Sequence, residues 1–189
     1  MNEFIRNYIE KQSVAIRKSP FDELEKLCNI LLEARQNGRT IFFAGNGGSA
    51  ATASHFTNDM VKGLSPGNPR RFRAFSLVDQ VPVITALAND YDYSVIFVEQ
   101  LKNYAEEGDL LVVISGSGNS PNVVKACEYA RENGIRTAAL TGRDGGKLKG
   151  ICDLSVIAPV DGMEEIEDIH MLWEHCVICT LKENISSEV

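Results

Sequence analysis

Two glycine- and serine-rich segments in this chain each follow an apolar run typical of a buried strand, and each precedes a helical pattern. The first spans residues 45–49 (Gly-Asn-Gly-Gly-Ser) and the second spans residues 115–120 (Ser-Gly-Ser-Gly-Asn-Ser). Such a loop turns several backbone N–H groups toward one point, and the helix N-terminus behind it adds partial positive charge. Both segments therefore predict an anion site, most simply for a phosphate.

The three histidines of the chain cluster near these loops or on the last predicted helix. His55 follows the first loop, with Asp59 four residues later; Glu167 and His175 are eight residues apart, with His170 between them. Residues four apart share one helix face and can hold one ion or one substrate. A single histidine is more often solvated or packed, but together with the loops these residues favour an enzyme acting on a phosphorylated small molecule.

Two weaker motifs have simpler explanations. Gly45, Gly47 and Ala50 fit a dinucleotide fingerprint, but the acidic residue that it needs about 20 residues later is missing, since Asp79 lies too far along. Cys176 and Cys179 have CxxC spacing. Without a second pair, packing within a helix is favoured over a structural zinc site.

Composition excludes several function classes. The chain has 189 residues, fits one domain, and carries a formal net charge of -7. It has no basic block of the kind that nucleic-acid binding needs, and no apolar run of the ~18 residues that span a membrane. The charged N-terminal residues predict no signal peptide, and five scattered cysteines predict reduced thiols. We therefore expect a cytoplasmic protein with no nucleic-acid or membrane partner.

The elements that must position these residues alternate along the chain. Strands are predicted at 40–44, 73–78, 109–114, 136–141 and 154–158, and helices at 3–18, 21–37, 50–63, 81–88, 93–105, 121–133 and 162–186. This alternation predicts an α/β fold, a doubly wound five-stranded parallel sheet with helices on both faces. In the strand order 2-1-3-4-5, the first and third strands are neighbours, so the two loops converge at the switch point.

The motifs in combination resemble the sugar isomerase (SIS) domain, and more narrowly the phosphoheptose isomerase family, over nearly the whole chain. The matching segments are residues 45–50 with His55, residues 89–90, 115–120 and 140–146, and residues 167–170 with His175. The resemblance implies a flavodoxin-like single SIS domain over residues 1–189, with residues 1–37 packing on the core and in the oligomer. It also implies a homotetramer with one zinc ion per site.

The resemblance implies isomerisation of sedoheptulose 7-phosphate to D-glycero-D-manno-heptose 7-phosphate, with Asp59 as base and His175 as acid. The metal ligands that it implies are His55, Asp59, Glu167 and His175. The substrate-binding residues that it implies are Asn46, Gly47, Gly48, Ser49, Asp59, Asn89, Asp90, Ser115, Gly116, Ser117, Ser120 and Glu167.

Three positions depart from the family pattern, which usually has Glu at position 59, Gln at 167 and Thr at 116. They keep open an alternative, an isomerase of another sugar phosphate. A second alternative is a non-catalytic SIS module that binds a bacterial replication-initiation protein. That relative lacks the histidine of the last helix, so the presence of His175 favours the enzyme.

Overall fold

The computed structural model, which describes residues 1–186, contains one parallel sheet. Its strands are β1 (Thr40–Gly45), β2 (Arg73–Ser76), β3 (Leu110–Ser115), β4 (Arg136–Gly142) and β5 (Leu154–Ala158). They lie in the order β2-β1-β3-β4-β5 with every neighbouring pair parallel. The predicted five strands and their order are confirmed. All residues of β3 are buried, as its continuous apolar sequence requires of a central strand covered on both faces.

The helices are α1 (Asn2–Ile16), α2 (Phe21–Gln36), α3 (Gly48–Asn58), α4 (Val81–Asp90), α5 (Val98–Tyr104), α6 (Pro121–Glu132), α7 (Leu148–Ile151) and α8 (Met163–Ser186). The predicted helix 50–63 is α3 continued by a π-helical segment, Asp59–Leu64. The predicted helix 93–105 is a 3₁₀ turn, Tyr93–Val95, followed by α5. The sequence analysis missed α7, because four residues carry no helical period.

Apolar layers cover both faces of the sheet. Phe43 packs in the cluster that includes α2, α3 and α8, whereas its neighbour Phe42 packs in the cluster that includes α5 and α6. Successive strand residues point to opposite faces, so the Phe42-Phe43 pair supplies one large ring to each layer. The doubly wound architecture is confirmed.

His170 fixes α8 against the end of β4. Its side chain is fully buried, and its Nε2 lies 2.9 Å from the carbonyl oxygen of Thr141. A carbonyl only accepts hydrogen bonds, so Nε2 carries the proton and donates. Burial lowers the pKa of His170 to about 4, although the hydrogen bond to Thr141 opposes the shift. At neutral pH His170 is therefore an uncharged core residue and not a ligand.

Helix α1 packs on α8 through polar side chains. Tyr8 donates a hydrogen bond of 2.6 Å to Asp168, and Lys11 forms a 2.7 Å ion pair with Glu165. Several large apolar side chains of α1 are nevertheless exposed, as described below. None of the helices formed by residues 1–186 combines the length and apolarity that a membrane span requires.

All five cysteines are free thiols, as predicted. The expectation that Cys176 and Cys179 are buried by helix packing is wrong, because both are exposed on α8. The helix turns another stripe inward, which includes Ile169, Trp173 and Val177.

Candidate active site

The two loops predicted to bind an anion meet at the carboxyl ends of β1 and β3. They enclose a pocket of about 280 Å³, closed on one side by the first turns of α8. The pocket is lined by Asn46, Gly47, Gly48, Ser49, Ile114, Ser115, Gly116, Ser117, Ser120, Met163 and Glu167. The strand order therefore brings together most of the residues expected to contact substrate.

Paired side-chain amides join the first loop to the first turn of α6, which follows the second loop. Asn46 donates to Asn122 Oδ1 at 2.9 Å, and Asn122 donates to Asn46 Oδ1 at 2.8 Å. Tyr93 donates a further hydrogen bond of 3.0 Å to Asn46 Oδ1. Asn122 is almost fully buried. The sequence analysis missed it, although a polar residue directly before the apolar pair Val123-Val124 was the available signal.

The second loop presents an unused hydroxyl to the pocket. Ser115 ends β3 and is buried, yet its Oγ has no hydrogen-bond partner among residues 1–186. Asn119 holds the loop in shape: its amide donates to the Ser117 carbonyl at 2.8 Å and accepts from the Lys147 backbone N–H at 3.1 Å. Ser120 immediately precedes α6, so the N-terminus of that helix lies at the pocket wall.

A carboxylate of the chain itself lies against the first loop. A Cβ atom added to Gly48 would lie only 2.6 Å from Oε1 of Glu167. Glycine at position 48 thus lets the Glu167 carboxylate approach the first turn of α3, where the helix dipole favours negative charge. The first loop therefore already has an anionic neighbour.

Gly116, one of the departures from the family pattern, has a packing reason. A Cβ atom at this position would lie 2.6 Å from the sulfur of Met163. Any larger residue would have to displace that thioether. The methionine occupies the space at the second loop that a longer side chain at position 116 would need.

A second cluster, which we call the His-carboxylate group, lies further along α3 and α8. It consists of His55, Asp59, Glu174 and His175, whose ligand atoms all lie within 4.8 Å of one another. The Nε2 atoms of the two histidines are 3.1 Å apart, and Asp59 Oδ2 is 3.5 Å from His55 Nε2. Asp59 lies where α3 changes to its π-helical continuation, a local distortion that is frequent at functional sites.

Glu167, predicted as a metal ligand, does not belong to this group. It precedes Glu174 by seven residues, which is two helical turns or about 10 Å along α8. The spacing of eight residues does place Glu167 and His175 on one helix face. The two side chains nevertheless lie at different heights along α8. Glu167 approaches Gly48, whereas His175 approaches His55.

Glu174 is the fourth member of this group, and the ligand role of Glu167 stays a prediction. It is fully buried, and its Oε2 lies 3.5 Å from His175 Nε2 and 3.9 Å from His55 Nε2. Neither of its carboxylate oxygens has a hydrogen-bond partner in the described part of the chain. Burial, and secondarily the charge of Asp59, raises the pKa of Glu174 to about 7. The sequence analysis missed Glu174 because it followed helical spacings from the histidines and not the residue adjacent to one.

Asn89 and Asp90 belong neither to the pocket lining nor to the His-carboxylate group. They end α4, an exposed helix, where the Asn89 amide donates to Asp90 Oδ1 at 2.8 Å. Neither residue is part of the lining of the pocket at the loops.

Comparison with known proteins agrees with this geometry. The SIS domain family matches residues 3–142. The phosphoheptose isomerase of Aliarcobacter butzleri is 40% identical over 163 residues, covering 86% of this chain and 85% of its own. The chain belongs to the SIS-domain phosphoheptose isomerase family. Another member, from Akkermansia muciniphila, is 37% identical over 188 residues and covers 97% of each chain.

Solved structures of this family have the same fold as this chain. The phosphoheptose isomerase of Neisseria gonorrhoeae superposes with a TM-score of 0.89 at 30% identity, covering 96% of this chain and 98% of its own. The enzyme of Francisella tularensis gives a TM-score of 0.87 at 29% identity, covering 96% of each. The non-catalytic alternative, a module that binds a replication-initiation protein, is not favoured by these relatives.

Proposed function

We propose that this protein interconverts the ketose sedoheptulose 7-phosphate and the aldose D-glycero-D-manno-heptose 7-phosphate. The observation that carries the proposal is the arrangement of a serine-lined anion pocket and a His-carboxylate group along the same pair of helices. Relatives named phosphoheptose isomerase cover most of the chain. The protein is a sugar-phosphate aldose–ketose isomerase, and its own residues suggest how the substrate is held.

The phosphate binds at the second loop. There Ser115, Ser117 and Ser120 line the pocket, and α6 begins directly after Ser120. The Ser115 hydroxyl has no hydrogen-bond partner within residues 1–186 and is available to a ligand. The first loop is less suited to a dianion, because the Glu167 carboxylate lies against Gly48. Asn46, Gly47, Gly48, Ser49 and Glu167 are better placed to receive sugar hydroxyls. The roles of Asn89 and Asp90 stay a prediction.

The separation of the two clusters matches a long sugar. Glu167 lies beside Gly48 in the pocket, and His175 lies beside His55, seven to eight residues further along each helix. Seven residues of helix span about 10 Å. An extended seven-carbon sugar with a terminal phosphate also spans roughly 10 Å from C1 to phosphorus, because each bond of ~1.5 Å advances less than its own length along a zigzag chain. We infer that a substrate with its phosphate in this pocket directs its carbonyl end toward the His-carboxylate group.

The His-carboxylate group fits a zinc ion. Tetrahedral zinc with bonds of ~2.0–2.1 Å holds its ligand atoms about 3.3 Å from one another. The separations of 3.1 Å between the imidazoles and 3.5 Å between His55 and Asp59 lie close to that value. We propose that His55, Asp59 and His175 hold a zinc ion. When bound, zinc would polarise the carbonyl oxygen and stabilise negative charge that develops on it.

The proton transfers fall to residues of the same group. Conversion of ketose to aldose removes a proton from C1, forms an enediolate, and returns a proton to C2. Asp59 accepts the proton from C1 with the carboxylate oxygen that does not bind the metal, and His175 supplies the proton at C2 when its Nε2 is not bound to the metal. The hydroxyl proton of C1 passes to the oxygen of C2, so that the product has its carbonyl at C1 and a hydroxyl at C2. The pocket holds the phosphate end of the substrate and so limits the carbons that Asp59 can reach.

The assembly is proposed to be a homotetramer. Phe4, Ile5 and Ile9 of α1 each expose more than half of their surface. An apolar groove of about 530 Å³ also lies beside α8, lined by residues that include Phe21, Leu24 and Leu172. These surfaces are suited to contacts between subunits. The free thiols are typical of a reducing compartment, and we place the protein in the cytoplasm.

The substrate assignment is tested with a panel of ketose phosphates that have five, six or seven carbons. We expect aldose product, followed by NMR, with the seven-carbon substrate at a kcat/KM at least tenfold above the shorter ones. Equal or higher kcat/KM with a five-carbon ketose phosphate would contradict the assignment.

A further inference from the structure

Cys127 and Cys152 bring two free thiols into direct contact, although they are 25 residues apart in the sequence. Cys127 lies on α6 and is fully buried, whereas Cys152 directly follows α7 and is half-buried. The two sulfur atoms are 3.6 Å apart, within hydrogen-bond distance for thiols. A disulfide bond needs ~2.05 Å between the sulfurs, so they would have to close by about 1.5 Å to form one.

The surroundings give the two sulfurs different reactivity. The hydrogen bond with Cys152, and secondarily burial, raise the pKa of Cys127. The pKa of Cys152 is lowered, chiefly because its thiolate accepts a hydrogen bond from Cys127, although burial opposes this shift. The thiolate is the nucleophilic form of cysteine. Cys152, which is also the more accessible of the two, is therefore the thiol that an oxidant attacks first.

Cys28 shows how a buried thiol behaves without such a contact. Burial raises its pKa to about 11, so it stays protonated at neutral pH. Burial likewise raises the pKa of Cys176 on α8. The opposite shift at Cys152 comes from its contact with a second thiol.

The two thiols lie on the two helices that hold the second loop. Helix α6 begins directly after that loop, and Cys127 lies about two helical turns further along it. The residues at the start of α7 hold the loop from the other side. The Leu148 backbone N–H donates to the Gly118 carbonyl at 3.1 Å, and the Lys147 backbone N–H donates to Asn119 Oδ1 at 3.1 Å. Drawing the two sulfurs together therefore pulls on both supports of the loop.

We propose that Cys127 and Cys152 form a redox-active dithiol that a peroxide converts to a disulfide, and that this disulfide weakens binding of phosphorylated sugars at the second loop. The disulfide itself is independent of the proposed function. Its effect on binding rests on the phosphate site proposed above. In a reducing compartment such a disulfide is transient, because thiol reductants reverse it.

The bond forms in two steps. The Cys152 thiolate attacks one oxygen of hydrogen peroxide, so that an S–O bond forms, the O–O bond breaks, and the departing hydroxide takes up the proton that Cys152 released. The Cys127 sulfur then attacks the sulfenic acid, so that the S–S bond forms, the S–O bond breaks, and the departing hydroxide takes up the Cys127 proton. The two sulfurs together lose two electrons, and the peroxide is reduced to two molecules of water. A dithiol reductant restores both thiols by exchange.

Peptide mapping of the oxidised protein tests the bond. Trypsin places Cys127 in the peptide 126–131, but it leaves Cys152 with Cys176 and Cys179 in the peptide 150–182. The experiment therefore uses the Cys176→Ser/Cys179→Ser double variant, in which the second peptide carries one cysteine. This protein is treated with stoichiometric hydrogen peroxide, alkylated under denaturing conditions and digested without reductant. The same chain with Cys152→Ser, and separately with Cys127→Ala, is treated in parallel.

We expect peptides 126–131 and 150–182 to be joined, with the loss of two hydrogens, and to separate after dithiothreitol. Cys127→Ala should stop at a sulfenic acid on Cys152, which dimedone traps, and Cys152→Ser should leave Cys127 a thiol. In the zinc-loaded double variant, oxidation should raise the KM for sedoheptulose 7-phosphate at least threefold, and dithiothreitol should restore it. The KM of the Cys152→Ser protein should not respond to the same treatment.

Absence of the joined peptide, or a joined peptide that contains Cys28 instead, would overturn the disulfide. A joined peptide with an unchanged KM would overturn its effect on binding, as would an equal rise of KM in the Cys152→Ser protein. A reduced protein that does not convert sedoheptulose 7-phosphate would contradict the proposed function and with it the effect on binding. The peptide map decides the disulfide in either case.

Discussion

Replacing His170 with glutamine should make the fold less sensitive to acid. Burial lowers the pKa of His170 from 6.5 to about 4, so between these pH values the unfolded chain binds a proton that the folded chain does not. Stability contributed by such a group is present above pH 6.5 and is lost as pH falls. The linkage relation gives a loss of about 2 kcal/mol between pH 8 and pH 5, and about 3 kcal/mol by pH 4.

The assay is urea unfolding of the metal-free wild type and of His170→Gln at about pH 8 and about pH 5, followed by circular dichroism. Glutamine can still donate an amide hydrogen bond toward the Thr141 carbonyl but does not titrate. Thr141→Ala is the matched control, because it changes a buried neighbour of His170 and removes no titratable group. Other acid-sensitive groups, Glu174 included, are common to all three proteins and cancel in the comparison.

We expect His170→Gln to lose about 2 kcal/mol less than the wild type between the two pH values. Thr141→Ala should retain the wild-type pH dependence whatever its absolute stability. If His170→Gln lost as much stability as the wild type on acidification, His170 would not be held neutral by burial, and its role as an uncharged core residue would be wrong.

Three further predictions concern the pocket, the loop and the assembly. Ser115→Ala should weaken binding of phosphorylated sugars by ~1.5–3 kcal/mol, roughly 10- to 100-fold, in calorimetry; Ser155→Ala, which removes another buried unpartnered hydroxyl from β5, should not. Gly116→Thr should lower the melting temperature because of its clash with Met163, and Met163→Ala in the same chain should restore part of the loss. Ile9→Glu should shift the sedimentation coefficient to smaller species, whereas Lys18→Glu, in the turn that follows α1, should not; an unchanged coefficient for Ile9→Glu would exclude that face of α1 from the interface.

Much of the fold could be predicted because its signals are local. Continuous apolar runs at β1 and β3 mark strands that are buried on both faces, and the glycine- and serine-rich loops mark their carboxyl ends. The short α7 and the π-helical segment carried no such signal. The π-helical segment that begins at Asp59 contacts α8, which begins about a hundred residues later in the sequence.

The residues of the candidate site could mostly be predicted, but the position of α8 along α3 could not. Predicting the pocket required only the strand order, since neighbouring parallel strands end at one edge of the sheet. Both Glu167 and Glu174 are close to His175 in sequence. Deciding which of them lies beside the two histidines requires knowing which turns of α3 and α8 are in contact. In the structure Glu167 lies against Gly48, at the first turn of α3. The helical period of the sequence does not reveal this contact.

The most direct test of the proposed isomerase is the reaction in D₂O with zinc-loaded protein and sedoheptulose 7-phosphate. Proton transfer through an enediolate predicts a seven-carbon aldose phosphate that carries deuterium at C2, read by proton NMR. Asp59→Asn should form no product even where it retains zinc, since an amide cannot accept the C1 proton. Absence of the aldose from the zinc-loaded wild type, or full activity of Asp59→Asn, would contradict the account.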